Sequence, residues 1–355
     1  MMRLVSVCPA ALIMAVLATA VGGVRLANAD ERNGRLDLYF IDVEGGAATL
    51  IVTPAGESVL IDSGYPDNLG RDRDRILKVL RETAGRTQLD HAVVSHWHLD
   101  HFGNHAALAG LVKIRNFWDR GIPLELQEDS LFLERVASYR AASQNRSRKL
   151  IAGDTLPLQS GTPPLAVRVV AASGDVLANS GPPNPFAGEH VAQPPDVSDN
   201  ANSLSLLFQF GKFTFLTCGD LTWNVEARLI TPNNPIGQVD LFMVTHHGLN
   251  VSNNPAFVLA IDPRVAVMCN GPKKGGNIET QQTLRRVKSL QALYQLHRNL
   301  ALKPEDQTPA AFIANELPTL ECQGTPIKAS VAADGASYTV QIGASGPVHT
   351  YQTRP

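Results

Sequence analysis

Four residues of the kinds that bind metal ions lie within one short stretch of the sequence, Ser95-His96-Trp97-His98-Leu99-Asp100-His101. The stretch follows an apolar run, which predicts a buried strand that ends at Ser95. In an extended segment residues two apart point the same way, so His96 and His98 are predicted to bind one ion from one side. A turn after His98 would direct Asp100 and His101 towards a second ion. This pattern indicates a two-metal site rather than a group of incidental surface histidines.

Two later strand ends supply further candidate ligands. Asp220 follows the apolar run 213–217, and His246 and His247 follow the run 239–245. A carboxylate can bridge two cations, and we predict this role for Asp220, although such an aspartate is also typical of a helix N-cap. We predict His246 as the last ligand of the second ion. His247 is predicted to be a supporting donor or a contact for negative charge that develops on the substrate.

The chemistry expected of such a site is hydrolysis. Two ions that share Asp220 would lower the pKa of a bound water, so that a metal-bound hydroxide is the nucleophile. The carbonyl or phosphoryl oxygen of the substrate would lie on a metal, and Asp100 or a metal-bound water could protonate the leaving group. Asp100 and Asp220 are therefore the predicted catalytic residues. The expected cofactors are two divalent ions, zinc in the first place, with manganese or iron as alternatives.

A glycine-rich loop with two lysines is the candidate substrate-binding segment. It reads Asn270-Gly271-Pro272-Lys273-Lys274-Gly275-Gly276-Asn277, and it follows an apolar run and precedes a predicted helix. Glycine-rich backbone at a helix N-terminus suits a phosphate or a carboxylate. We therefore predict that Lys273, Lys274 and Gly275 bind an anionic group of the substrate. The alternative is an ordinary solvated loop.

The elements that would position these residues are predicted from hydrophobic periodicity. Strands are predicted at 36–41, 48–53, 58–61, 92–95, 203–210, 213–217, 239–245, 265–268, 327–331 and 337–342, and helices at 70–84, 125–149, 222–230, 254–261 and 278–298. Residues 173–202 have no periodicity and are predicted to form a functional or mobile loop. Strands followed by helices, in two successive halves, predict an α/β fold with two mixed β-sheets between outer helices, an αββα sandwich.

The candidate residues together resemble the metallo-β-lactamase superfamily. The resemblance rests on Asp62, His96-x-His98-x-Asp100-His101, Asp220 and His246. Phe40-Ile41-Asp42-Val43, Leu60-Ile61-Asp62-Ser63-Gly64, Asn200-x-x-Ser203-Leu204, Cys218-Gly219-Asp220 and His246-His247-Gly248 resemble the hydrolase domain of ComEC-type competence proteins. The resemblance implies the metallo-β-lactamase fold, two divalent ions and hydrolysis. It also implies that Asp62 is not a ligand but forms hydrogen bonds beneath the metal-binding loop.

The sequence departs from this pattern in two places. Most superfamily hydrolases have a further histidine where this chain has Asn200, so the first ion could be weakly bound, completed by water or absent. His190, in the loop before it, could substitute for that histidine. The second departure is that competence proteins surround this domain with many membrane-spanning helices, whereas here only an N-terminal apolar segment is found. DNA transport is therefore not implied.

The whole chain has 355 residues, of which 44% are hydrophobic and 18% charged, and a formal net charge of -2. This charge gives no basic excess for binding long nucleic acids. Residues 1–29 are predicted to be a cleaved signal peptide, with an uncleaved anchor as the alternative, so the protein is expected in the periplasm or secreted, without stable membrane insertion. Residues 30–305 are expected to form the hydrolase domain, and 306–355 a C-terminal extension with a β-hairpin.

These features predict a metal-dependent hydrolase that acts on a phosphodiester or another small anionic ester. One alternative is an acyl hydrolase of the lactonase or β-lactamase type. The other is a non-catalytic metal-binding protein with a degraded site, which the asparagine at position 200 could indicate.

Overall fold

The fold was analysed in a computed structural model, which describes residues 28–66, 68–317 and 321–355. Of the predicted signal peptide only Asn28 and Ala29 lie within these ranges; residues 1–27 lie outside the described residues. Ala29 is buried, and its N–H donates to Asp37 Oδ2 at 2.8 Å. None of the helices in the described part of the chain has the length and apolar character needed to cross a lipid bilayer.

The described residues fold into two β-sheets with helices on their outer faces. The strands are β1 Leu36–Phe40, β2 Thr49–Val52, β3 Ser58–Ile61, β4 Gln88–Val93, β5 Lys113–Asp119, β6 Arg148–Lys149, β7 Leu165–Ala172, β8 Asp175–Val176, β9 Ser205–Phe210, β10 Phe213–Thr217, β11 Leu241–Met243, β12 Val265–Met268, β13 Ala292–His297, β14 Ile313–Asn315, β15 Ile327–Val331, β16 Ser337–Ile342 and β17 Val348–Gln352. The α-helices are α1 Arg71–Lys78, α2 Leu99–Phe102, α3 His105–Ala109, α4 Phe132–Ala142, α5 Trp223–Ile230, α6 Pro255–Ile261 and α7 Ile278–Arg285.

Within the described ranges one sheet has nine strands and the other eight. Their orders are β17-β16-β15-β1-β2-β3-β4-β5-β6 and β14-β13-β12-β11-β10-β9-β7-β8. Strand β1 shows how the layers pack, because its alternate side chains face opposite sides. Leu38 and Phe40 belong to the core between the sheets, whereas Tyr39 packs in the cluster that contains Ile76 of α1. The predicted αββα sandwich is therefore confirmed.

The predicted site residues follow strands that run parallel. Strands β3 and β4 are parallel neighbours in one sheet, and β10, β11 and β12 are parallel neighbours in the other. Parallel neighbours bring their carboxyl ends to one edge of a sheet, where ligand sites of open α/β sheets lie. Asp62 follows β3, His96 follows β4, Asp220 follows β10 and His246 follows β11. The topology thus brings residues that are far apart in the sequence to the same edge of the sandwich.

The prediction of one helix over residues 278–298 was wrong. Helix α7 ends at Arg285, and Ala292–His297 form β13, a parallel strand between β12 and β14. The side chains of β13 are almost all buried. Its apolar residues therefore suit either the interior of a sheet or a buried helix. Pairing with the neighbouring strands favours the strand.

The prediction of a helix over 125–149 was too long, because only Phe132–Ala142 is helical. Residues Arg148–Lys149 pair with β5 as an edge strand instead of ending the helix. Strands β5 and β7 were not predicted from the sequence. At the C-terminus, β15 pairs with β1 and β14 pairs with β13, so residues beyond 305 contribute strands to both sheets.

A buried carboxyl group in α5 leads to a prediction about stability and pH. Glu226 is fully buried, and burial raises its pKa to about 8 although the Asn254 N–H donates to it at 2.8 Å. The folded protein therefore keeps a proton that the unfolded chain releases above about pH 4.5, so this group lowers stability as pH rises from about 5 to 8. Over this pH range the wild type should therefore lose more stability than the Glu226→Gln variant. We expect the difference between the two losses to be on the order of a few kcal/mol.

Urea unfolding of both proteins at pH 5 and at pH 8 tests this expectation, with the difference between the two pH values as the measured quantity. An equal decline in the wild type and in the variant would show that Glu226 is ionised in the folded state.

Candidate metal centre

One carboxylate oxygen stands at the centre of the predicted ligands. Asp220 is buried, and its Oδ2 atom faces four imidazole rings. Among the described residues, the Nε2 atoms of His96, His101, His246 and His247 lie 3.9, 3.2, 3.3 and 3.2 Å from Asp220 Oδ2. Such an oxygen is placed where two cations could share it, because nitrogen donors approach it from several sides.

A second carboxylate faces part of the same cluster. Asp100 Oδ2 lies 3.5 Å from His101 Nε2 and 3.4 Å from His247 Nε2. One ligand atom each of Asp100, His101, Asp220 and His247 lies within 4.8 Å of the others, so these four residues could hold one ion. The ammonium group of Lys274 also donates to Asp100 Oδ2.

His98 lies at the more exposed side of the cluster. Its Nδ1 atom is 3.2 Å from His96 Nε2, so the two rings present these nitrogen atoms to the same space. Its Nε2 atom is 3.1 Å from a carboxylate oxygen of Glu128. Glu128 could not be identified from the sequence, because it lies in a loop between β5 and α4 and belongs to no recognisable motif.

Each of the other four rings is held on the side away from Asp220. The Nδ1 atom of His96 lies 3.0 Å from Ser95 Oγ, that of His101 2.8 Å from Asp62 Oδ2, that of His246 3.0 Å from Ser252 Oγ, and that of His247 3.1 Å from the Cys269 carbonyl oxygen. A partner on one ring nitrogen fixes the orientation of a ligand histidine and leaves the other nitrogen free for a metal. This donor set therefore fits divalent cations.

Asp62 holds the loop that carries His96 to His101. Its Oδ1 atom accepts from the Ser95 N–H at 2.8 Å, and its Oδ2 atom accepts from the Ser95 hydroxyl at 2.7 Å in addition to its contact with His101. Asp62 is itself buried, with a left-handed φ of 59°. Its two oxygens are thereby engaged beneath the loop, so they position a ligand rather than face Asp220.

The backbone at His246 and His247 is unusual. Both residues have a φ of 55°, in the left-handed region that side chains other than glycine rarely adopt. Consecutive side chains of an extended strand point to opposite sides. Here the left-handed turn brings both rings to Asp220, at a cost of about 1–3 kcal/mol for each residue. Gly275 packs against this turn, because a Cβ atom there would collide with the His247 carbonyl oxygen.

The electrostatics of the cluster favour cations. Burial alone would raise the pKa of Asp220, but three surrounding imidazoles, that of His101 foremost, hold it well below its usual range. The pKa of Asp100 is lowered in the same way against the effect of burial. Burial lowers the pKa of His96 well below its usual value, which favours the neutral imidazole that binds metals. The two carboxylates thus stay ionised inside a buried site.

The remaining predicted residues lie around this cluster rather than in it. Lys274 reaches Asp100, whereas Lys273 on the same loop is exposed. Asn200 Oδ1 is buried and has no hydrogen-bond partner among the described residues. The Nδ1 atom of His190 accepts a hydrogen bond from the Asn254 side chain at 2.8 Å, so the ring that could have substituted for a missing ligand is engaged elsewhere.

A cavity of about 550 Å³ is formed by segments that adjoin the cluster in the sequence. Thr222 and Trp223 follow Asp220, Asn250 and Val251 follow His247, and Asn200 completes this part of the wall. Other residues of the loop predicted at 173–202 also line the cavity, from Gln193 to Ser198, and the Trp223 indole N–H holds this loop by donating to the Val191 carbonyl oxygen at 2.8 Å. The volume of the cavity lies within the range of small-molecule binding sites.

Comparison with known proteins gives one family. Residues 41–271 match the family described as the metallo-beta-lactamase superfamily. The sequence has no significant match among curated proteins.

The solved structures that the chain resembles are distant from it in sequence. CmlA, a diiron beta-hydroxylase from Streptomyces venezuelae, is 16% identical, with a TM-score of 0.41 over 72% of this chain and 52% of CmlA. Tm1679, a metal-dependent hydrolase of the beta-lactamase superfamily, is 16% identical, with a TM-score of 0.42 over 74% of this chain and 95% of Tm1679. MEM-A1, a subclass B3 metallo-beta-lactamase from a soil metagenome library, is 18% identical, with a TM-score of 0.35 over 65% of this chain and 75% of MEM-A1. The chain thus spans about half the length of CmlA.

Proposed function

Because the chain belongs to the metallo-beta-lactamase superfamily, we propose that it is a two-metal hydrolase that acts on a phosphodiester or another small anionic ester. The observation that carries this proposal is the position of Asp220 Oδ2, which four imidazole Nε2 atoms face at 3.9 Å or less. In this proposal His96, His98 and Asp220 would hold one ion, and Asp100, His101 and Asp220 the other. His247 would complete the second set, because its ligand atom lies within 4.8 Å of those of Asp100, His101 and Asp220. His246, which the sequence predicts as the last ligand of the second ion, faces the shared oxygen of Asp220 at 3.3 Å.

The donor set is rich in imidazole nitrogen and has two carboxylates, which suits zinc first and is also compatible with manganese or iron. When bound, the ions would supply an activated water and would neutralise negative charge on the reacting group. The residues of the chain have separate tasks around them. Asp220 holds the two sets together, Asp62 keeps the His101 ring in place, and Asp100, whose pKa is held well below its usual range, contributes an ionised carboxylate beside His101.

Lys274 is the side chain that supports an anionic substrate. Its ammonium group pairs with Asp100 at the centre, and about a third of the side chain is exposed to solvent. Burial would lower its pKa, but Asp100 and Asp220 raise it above the usual value, so the amine stays charged. A charged donor at the rim of the site can bind a phosphate or carboxylate oxygen of a substrate.

We expect Lys274→Ala to raise KM for an anionic substrate about ten- to a hundredfold, because charge-assisted hydrogen bonds contribute on the order of 1–3 kcal/mol. Lys273→Ala is the matched control, since Lys273 lies on the same loop but is exposed. Its effect on KM should be small, and it should shrink further as salt rises. Metal content is measured on both variants. Equal KM values in the two variants would remove Lys274 from the substrate site.

The proposed function is tested by a panel of chromogenic substrates on the metal-loaded protein. The panel contains a phosphodiester, a lactam and a lactone, and metal content is determined on the same sample. Turnover of the phosphodiester is the expected result. Turnover of the lactam or lactone alone would replace the proposal with the acyl hydrolase, and no turnover at full metal content would identify a binding protein.

A further inference from the structure

Four side chains outside the centre around Asp220 offer a separate set of metal ligands. One ligand atom each of Asp42, Glu44, His297 and Cys322 lies within 4.8 Å of the others. The set contains a thiol, an imidazole and two carboxylates, which are the donor types of four-coordinate zinc sites. None of these four residues belongs to the ligands proposed around Asp220, so an ion bound here would be additional to that centre.

Three of the four donors are already in contact with one another. Asp42 Oδ2 lies 3.0 Å from His297 Nε2 and accepts from the Cys322 thiol at 3.2 Å. Cys322 Sγ lies 3.5 Å from His297 Nε2. Zinc bonds of about 2.0–2.3 Å at tetrahedral angles place ligand atoms roughly 3.3–3.6 Å apart. A small outward movement of these atoms would therefore admit an ion.

The donors are shielded from water, while the sulfur atom stays accessible. The side chains of Asp42 and His297 are fully buried, and Cys322 is partly exposed. The cluster itself orients the His297 ring, because Nε2 faces Asp42 and the buried Nδ1 atom has no hydrogen-bond partner among the described residues. The Gly324 N–H donates to Cys322 Sγ at 3.4 Å, and such a bond favours the thiolate form that binds metals.

Two arginines pair with the carboxylates of this group. Arg71 Nη1 lies 2.9 Å from Glu44 Oε2. Arg75 Nη1 lies 2.9 Å from Asp42 Oδ2 and its Nη2 atom 3.1 Å from Glu44 Oε1, an oxygen that otherwise has no hydrogen-bond partner among the described residues. Arg75 also donates to the carbonyl oxygens of Asp42 and Cys322, at 3.2 and 2.9 Å, so it would still hold the backbone of both if an ion took the Asp42 carboxylate. A divalent ion displaces the thiol proton when it binds, so the charge of the cluster rises by one unit at most.

We propose that Asp42, Glu44, His297 and Cys322 form a structural zinc site. The site goes beyond the proposed hydrolysis and does not depend on it. Asp42 follows β1 of one sheet, His297 ends β13 of the other, and Cys322 precedes β15. An ion bound to all of them would join the two sheets to the C-terminal segment at one point. The protein supplies all four ligands, which is typical of structural rather than catalytic zinc.

Zinc and cobalt(II) binding to the metal-free, reduced protein test this proposal. Cys322→Ser should bind one ion fewer per chain than the wild type, by elemental analysis. The matched control is Cys218→Ala, at a buried free cysteine, which should bind the full number. Ions around Asp220 are counted in the Cys322→Ser background, where this site cannot contribute. An equal ion count in the wild type and in Cys322→Ser would overturn the proposal.

Cobalt(II) also reports on the type of ligand, because a cobalt–thiolate bond gives a charge-transfer band in the near ultraviolet. The band should be present in the wild type and in Asp220→Asn, and absent from Cys322→Ser. A band that persists in Cys322→Ser would overturn the site. A band that depends on Cys322, in a protein that hydrolyses no substrate of the panel, would support this site while the proposed hydrolase function fails.

Alkylation of the unaltered protein makes the test independent of any variant that does not fold. Labelling of Cys322 by iodoacetamide, located by peptide mass mapping, should slow about a hundredfold at a hundredfold excess of zinc over its Kd, because only the unoccupied protein reacts. A chelator should restore the rate, and calcium, which prefers oxygen ligands, should not slow it. A labelling rate that zinc leaves unchanged would contradict the proposed site.

Discussion

Asp220→Asn should abolish hydrolysis and weaken both ions. The change keeps the shape of the side chain but removes the negative charge that four imidazole nitrogens face. We expect turnover to fall at least about a thousandfold, which corresponds to about 4 kcal/mol of transition-state stabilisation. Metal content should fall below one ion per chain, because both sets share this oxygen. Elemental analysis and turnover of the best substrate of the panel measure the two effects.

His96→Ala provides the comparison for this result. It should also abolish hydrolysis, but it should empty mainly one ion, because His96 lies 3.9 Å from Asp220 Oδ2 and beside His98 rather than beside Asp100. Full activity in either variant would show that the centre lies elsewhere. Equal metal loss in both variants would contradict the bridging position of Asp220.

Removal of metal by a chelator should eliminate activity in the unaltered protein, and addition of zinc, manganese or iron(II) should restore it. Chelation should also lower thermal stability, because ions that bind only the folded state stabilise it by about 2.7 kcal/mol each at a hundredfold excess over Kd. Acid should release the ions as well, since the imidazole ligands must be neutral to bind them. Activity that survives dialysis against chelator, with no metal detected, would exclude metal-dependent hydrolysis.

The metal that restores most activity shows which of the three ions supports the reaction best. Calcium serves as the control, since it prefers oxygen ligands and the site offers mainly nitrogen. Restoration by calcium alone would mean that the histidines are not the ligands.

The positions of the candidate ligands could be predicted because each follows a strand in the sequence. Buried strands have a recognisable apolar pattern, and parallel strands bring their ends to one edge. The sequence pattern therefore predicts that His96 to His101, Asp220 and His246 lie near one another. It could not predict the backbone at His246 and His247, because a pattern of apolar residues contains no signal for two consecutive left-handed residues.

Other parts of the site depend on contacts between distant segments. Glu128 reaches His98 from a loop and Ser252 reaches His246 from the turn before α6, and neither belongs to a motif. The same limit explains β13, whose apolar residues suit a helix until the neighbouring strands β12 and β14 supply its hydrogen-bond partners. Hydrophobic periodicity reports on one segment at a time, whereas these contacts and strand pairings form between two segments.

The pairing of β1 with β15 has a consequence for the order in which the chain is made. Arg35, directly before β1, contacts Ser330 across 295 positions of the sequence. During synthesis β1 therefore emerges early and has one edge without a partner until almost the whole chain has followed. Such an edge can pair with other chains, and contacts so distant in sequence form slowly. Until β15 is added, that edge of the sheet that carries Asp62 and His96 is therefore a place where nascent copies of the chain could pair with one another.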